Sequence, residues 1–78
     1  MKSFDEEKVA KDFGAFIREA REKKGLKQAD VAMQLGICRP YYCYIEQGAR
    51  SIYFSRALKL CKILGVSLDD FEKLLESA

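Results

Sequence analysis

The side chains in this sequence that are best suited to chemistry are suited to recognition rather than reaction. Lys27, Gln28, Arg39, Tyr44, Gln47 and Arg50 fall within a span of 24 residues, and the chain holds no histidine to act as a base beside them. Arginine presents a planar fork of N–H groups that fits guanine O6 and N7, and lysine and arginine cations hold phosphates. An enzyme needs a nucleophile beside a recognisable base or a metal site, and none is found, so catalysis is not expected. Cys38, Cys43 and Cys61 are odd in number and lack metal-ligand spacing, which argues against both a disulfide framework and a zinc site. No cofactor and no small-molecule effector is implied.

The elements that must position these groups are legible between Gln28 and Gly48, QADVAMQLGICRPYYCYIEQG. Ala29, Val31, Ala32 and Leu35 supply the i, i+3, i+4 spacing of an apolar helix face, and Gly36 follows where a left-handed C-terminal residue is needed. Ile37 can then enter the core. Pro40 sits in a first helical turn, where its missing N–H costs nothing, and Tyr41, Tyr42 and Ile45 continue the apolar face to Gly48. Two short helices joined by one glycine turn have the shape of a helix-turn-helix, which lays its second helix in the DNA major groove. Small side chains at Ala29 and Ala32 allow the two backbones to cross closely.

The flanking segments are also helical in pattern. Ser3 and Glu6 space as a capping box, and Val9, Phe13, Phe16, Ile17 and Ala20 share a face, which predicts a first helix from about Asp5 to Lys24, broken near Gly14 and stopped by Gly25. Ala49 to Ile52 reads as a loop. Phe54, Ala57, Leu58, Cys61 and Leu64 predict a fourth helix ending at Gly65, and Ser67 with Asp70 caps a fifth that holds Phe71, Leu74 and Leu75. No strand pattern, repeat or linker appears, so residues 1–78 are expected to form one five-helix bundle.

The formal net charge of +2 conceals an asymmetry. Residues 21–62 carry nine basic and three acidic side chains, a balance of +6, whereas the residues before and after them stand at −1 and −3. The basic excess coincides with the paired helices, as a phosphate-binding face requires, although charge alone is equally compatible with a solvated surface. No segment reaches the apolar length of a membrane span, and the N-terminus is charged where a signal peptide would be apolar. A cytoplasmic location is therefore expected.

From Phe13 to Leu75, through FIREAREKKGLKQADVAMQLGI, YIEQG and LGVSLDDFEKLL, the sequence resembles the Cro/C1-type (XRE-like) helix-turn-helix family of phage repressors and small bacterial regulators. The resemblance implies a lambda-repressor-like all-α domain with the motif in helices 2 and 3, residues 1–12 being an extension of helix 1. It also implies binding to double-stranded DNA. The sequence departs from the family pattern at Cys38, where a capping Ser or Thr is usual, and at Cys43 and Tyr44, where polar residues are usual.

Several residue roles follow. Arg39 stands at the N-terminal end of the recognition helix, so a base contact is expected, with a phosphate contact as the close rival. Pro40, Cys43, Tyr44 and Gln47 share its outward face, leaving Tyr42 and Ile45 to point inward. The resemblance places Pro40 and Tyr44 at base-approaching positions and Gln47 near a phosphate. It also gives Gln28 a backbone contact and a bracing role toward Arg39. Tyr44 suits a partly wet interface. Cys43 is expected to pack against the groove as a small semi-apolar group rather than serve as a redox switch. Lys27 and Arg50 are natural phosphate clamps. Arg21 and Glu46 match a family ion pair between the first and recognition helices, and Glu46 near phosphates needs such a partner. Cys61 reads as core filling, Lys59 and Lys62 as solubilising charges, and Tyr41 stays unassigned.

The resulting expectation is a transcriptional regulator, a repressor acting as a homodimer on a palindromic operator, without room for a separate sensing domain. A short recognition helix reads too few base pairs alone, so a second copy is needed. The apolar stripe of Leu68, Phe71, Leu74 and Leu75 is divided between closing the core and forming the dimer surface. The alternative is a helical protein-interaction module of antitoxin type that has lost or supplements DNA binding.

Overall fold

The computed structural model describes residues 5–77. Among the described residues five helices follow one another: α1 (Glu6–Lys23), α2 (Gln28–Leu35), α3 (Arg39–Gln47), α4 (Phe54–Leu64) and α5 (Leu68–Ser77). No strand occurs among the described residues, and the fold is the all-α class expected from the sequence.

Helix α1 starts at Glu6, one residue after the expected start at about Asp5. Asp5 is its N-cap, and the carboxylate accepts from the Glu7 and Lys8 backbone N–H groups at 3.1 and 3.2 Å. Ser3 lies outside the described residues. The expected break at Gly14 is absent, because Gly14 is where α1 touches α3. A Cβ built there would lie 2.7 Å from both the Ile45 carbonyl oxygen and the Glu46 carbonyl carbon, and closer still to the Glu46 oxygen. The glycine permits a backbone-to-backbone approach, and the helix runs straight through it.

The turn between α2 and α3 closes as its sequence requires. Gly36 takes φ 78°, its N–H reaches the Met33 carbonyl, and the Ile37 N–H returns to the Ala32 carbonyl at 3.0 Å. This left-handed cap redirects the chain within two residues. Val31, Ala32 and Leu35 are buried, whereas Ala29 is exposed, so Ala32 rather than Ala29 supplies the small residue at the crossing.

The core consists of Phe13, Ile17 and Ala20 from α1, the α2 trio, Tyr42 and Ile45 from α3, Ala57, Leu60, Cys61 and Leu64 from α4, and Phe71 from α5. The buried face of α4 differs from the expected one at its edge: Leu60 is fully buried, while Phe54 is 71% and Leu58 46% exposed. Ala57, Cys61 and Leu64 of the expected face are buried, and packing adds Leu60 to them in place of Phe54 and Leu58. Ser67 and Asp70 form the capping box of α5, with the Asp70 N–H donating to Ser67 Oγ at 3.2 Å and the Ser67 N–H to Asp70 Oδ2 at 3.1 Å. Phe71 then closes the helix onto α1, edge-on to Phe13 at 5.2 Å and tilted against Phe16 at 5.4 Å.

Candidate nucleic-acid interface

The recognition helix is presented by its own burial pattern. Tyr42, Ile45 and Glu46 face inward, and Arg39, Pro40, Tyr44 and Gln47 are exposed on the opposite side, with Cys43 half-buried among them. The five predicted outward residues therefore share one face. Gln47 Nε2 lies 3.5 Å from Cys43 Sγ, a weak contact one helical turn apart. Cys38 occupies the N-cap without a side-chain hydrogen bond to the helix, consistent with a thiol being a poor substitute for the usual hydroxyl. The first N–H groups of α3 are thus not masked by a capping side chain.

A polar cluster behind this face fastens α3 to the scaffold. Arg21 Nε donates to Glu46 Oε2 at 2.7 Å and Nη2 to Oε1 at 3.2 Å, a two-pronged pair between α1 and α3. Arg21 Nη1 also donates to the Leu26 carbonyl at 2.9 Å, in the connection to α2. Gln28 Nε2 completes the cluster with a 3.0 Å hydrogen bond to Glu46 Oε1. Spacing alone gave no signal for this contact of Gln28 with Glu46. Glu46 is only 7% exposed, and its carboxylate is satisfied by Arg21 and Gln28, whereas Arg39 is exposed.

The electrostatics follow from this geometry. Burial by itself would raise the Glu46 carboxyl, but hydrogen bonds from Arg21 and Gln28 and the Arg21 charge outweigh it and hold the group below the ordinary carboxylate range. The hydrogen bond to Glu46 in turn raises Arg21. The Tyr42 hydroxyl is buried beside them with no hydrogen bond of good geometry, and burial followed by the Glu46 charge drives its phenol well above the ordinary value. Cys61 is similarly raised, by burial and then by Asp70, consistent with an inert core thiol.

Lys27 and Arg50 flank the motif, exposed at the start of α2 and in the loop after α3. Sequence reasoning gave Tyr41 no role, yet its hydroxyl donates to the Ser51 carbonyl at 2.8 Å, tying the recognition helix to that loop. Helical periodicity carries no signal for such a long-range bond. Of the stripe expected at the dimer surface, Phe71 lies within the chain's own core, Leu68 and Leu75 are half-buried, and Leu74 is 54% exposed. Among the described residues no group of His, Cys, Asp or Glu is arranged to hold a metal ion, and no helix is long and apolar enough to cross a membrane.

A family model described as a helix-turn-helix domain matches residues 12–74. The chain is 37% identical over 57 residues to YqaE, an uncharacterized HTH-type transcriptional regulator of Bacillus subtilis (strain 168), covering 73% of this chain. It spans about half, 49%, of that relative's length. Among solved structures it resembles the restriction-modification controller protein C.AhdI from Aeromonas hydrophila, with a TM-score of 0.78 and 31% identity, over 87% of this chain and 99% of the controller. A two-helix motif joined by a left-handed glycine, an outward α3 face backed by a buried ion pair, and these three matches lead to one assignment: the chain belongs to the helix-turn-helix family of DNA-binding transcriptional regulators.

Proposed function

We propose that this protein is a cytoplasmic, sequence-specific repressor that binds a palindromic operator as a homodimer and occludes RNA polymerase. The observation that carries the reading is the rigid mounting of α3. Arg21, Gln28 and Glu46 lock the helix from behind, so Arg39, Pro40, Cys43 and Tyr44 meet a duplex as a preformed surface with little ordering cost. Lys27, Gln28, Gln47 and Arg50 surround that surface as phosphate-binding groups. The likeness to a restriction-modification controller protein supports a regulatory role.

Reading and holding are separable by mutation. Arg39→Ala is expected to cost about 1 to 3 kcal/mol on the preferred operator and to flatten preference at one base pair of each half-site. Arg50→Ala should weaken all sequences alike and lower the salt slope by about one unit. Gel-shift titrations at several salt concentrations distinguish the two, and intact selectivity in Arg39→Ala would remove the base-reading role.

The dimer surface is proposed to combine Leu68, Leu74 and Leu75 with exposed residues of α4. Leu68 lines a groove of 400 Å³ together with Val9, Ile52 and Phe54, and Tyr53, one residue before Phe54, and Leu58, one helical turn after it, are exposed. Large apolar side chains clustered at a surface are the usual material of an isologous contact. Sedimentation at micromolar concentration is expected to give a dimer that Phe54→Glu converts to monomer. A wild-type monomer, or a Phe54→Glu protein that stays dimeric, would contradict this placement.

A further inference from the structure

Among the described residues, one side-chain hydrogen bond ties the recognition helix to the loop that follows it. Tyr41, at the third position of α3, donates its hydroxyl to the Ser51 carbonyl at 2.8 Å, ten residues further along the chain. Its half-buried ring forms one wall of an open cleft of 350 Å³, completed by Arg50, Ser51, Ile52 and Tyr53. No acidic residue lines this cleft. Arg50 is exposed and makes no ion pair with the described residues, so its guanidinium faces the cleft and solvent as an uncompensated cation.

An arginine on a loose loop pays ordering entropy whenever it captures an anion, and anchoring the loop backbone beforehand removes much of that cost. The anchor here comes from α3 itself. We propose that Tyr41 is a positioning residue, fixing the 49–53 loop to the recognition helix so that Arg50 meets a backbone phosphate of the same duplex whose bases α3 reads. The inference rests on the DNA-binding reading above and adds a residue to it. Tyr41 does not touch bases in this arrangement. It sets the distance between the reading helix and the phosphate clamp, and the cleft receives the phosphodiester.

Tyr41→Phe isolates the hydroxyl, since the ring stays and the Ser51 carbonyl returns to water. Tyr41→Phe, Arg50→Ala and the double variant are titrated against a duplex of about 25 base pairs and arbitrary sequence, across a salt series. The single Tyr41→Phe change is expected to weaken binding by about threefold to tenfold and make the salt slope shallower by up to about one unit. Helical circular dichroism should be unchanged, and the double variant should bind no more weakly than Arg50→Ala alone. A purely structural tyrosine would lower the melting temperature without moving the salt slope. Unaltered affinity, multiplicative losses in the double variant, a changed sequence preference or loss of helicity would each overturn the proposal. If the unaltered protein binds no duplex even at low salt, the DNA-binding reading itself falls, a result distinct from any of these.

Discussion

Glu46→Ala is expected to lower the unfolding free energy by about 3 to 5 kcal/mol, among the largest single effects available in this fold. The substitution leaves Arg21 with a 12% exposed side chain and only the Leu26 carbonyl as acceptor, and it strands the Gln28 amide. The loss is dominated by the charge left behind rather than by the strength of the pair. Replacing Arg21 and Glu46 together with apolar residues should therefore cost clearly less than the sum of the single changes. Urea unfolding of the four proteins measures the cycle, and strict additivity would show that the two groups do not act as a pair.

The same pair sets the acid limb of stability. The folded-state carboxyl of Glu46 lies below its ordinary value of 4.5, so its contribution is fully present above that value and is lost as pH falls through the folded pKa. Wild-type stability should fall on acidification below about pH 4.5, and Glu46→Gln should flatten that dependence.

Gly14→Ala is expected to destabilise the protein by about 3 kcal/mol, although alanine is intrinsically the better helix former by about 1 kcal/mol. The added methyl group meets the carbonyl groups of Ile45 and Glu46, which are backbone and cannot rotate aside. Relief requires α3 to move off α1, and that movement would lengthen the Arg21–Glu46 contact. Weakened DNA binding should therefore accompany the lower melting temperature. A Gly14→Ala protein as stable as wild type, or more so, would mean that the close α1–α3 approach does not exist in solution.

The parts of the fold that were legible in the sequence are those where one residue type has one physical solution. A glycine between two apolar runs gave the α2–α3 turn, Ser67 and Asp70 gave the α5 cap, and spacing alone sorted Tyr42 and Ile45 from Arg39 and Tyr44. On helix α4 spacing picks out Ala57, Cys61 and Leu64 but not Leu60, because seven apolar residues cover more than half the circumference and which edge of that stripe faces inward depends on the helices it meets. Gly14 was read as a helix breaker because its local propensity is poor. Its reason for being glycine lies in another helix, 31 positions away at Ile45. Gln28 and Tyr41 belong to the same class: one turns to a buried carboxylate and the other to a loop carbonyl, and neither partner is marked by periodicity. The outward face of α3 followed from spacing, whereas its rigid support followed only from the tertiary arrangement.

Base reading by the outward face of α3 is tested most directly by selecting binding sites from a pool of duplexes with randomised centres, using the unaltered protein and Arg39→Ala in parallel. The wild-type selection should converge on a pseudo-palindrome whose half-sites lie about 34 Å apart, one turn of the duplex. The Arg39→Ala selection should keep that spacing and lose one conserved base pair from each half-site. A wild-type pool that binds in proportion to salt alone, with no sequence enriched, would contradict sequence reading by α3.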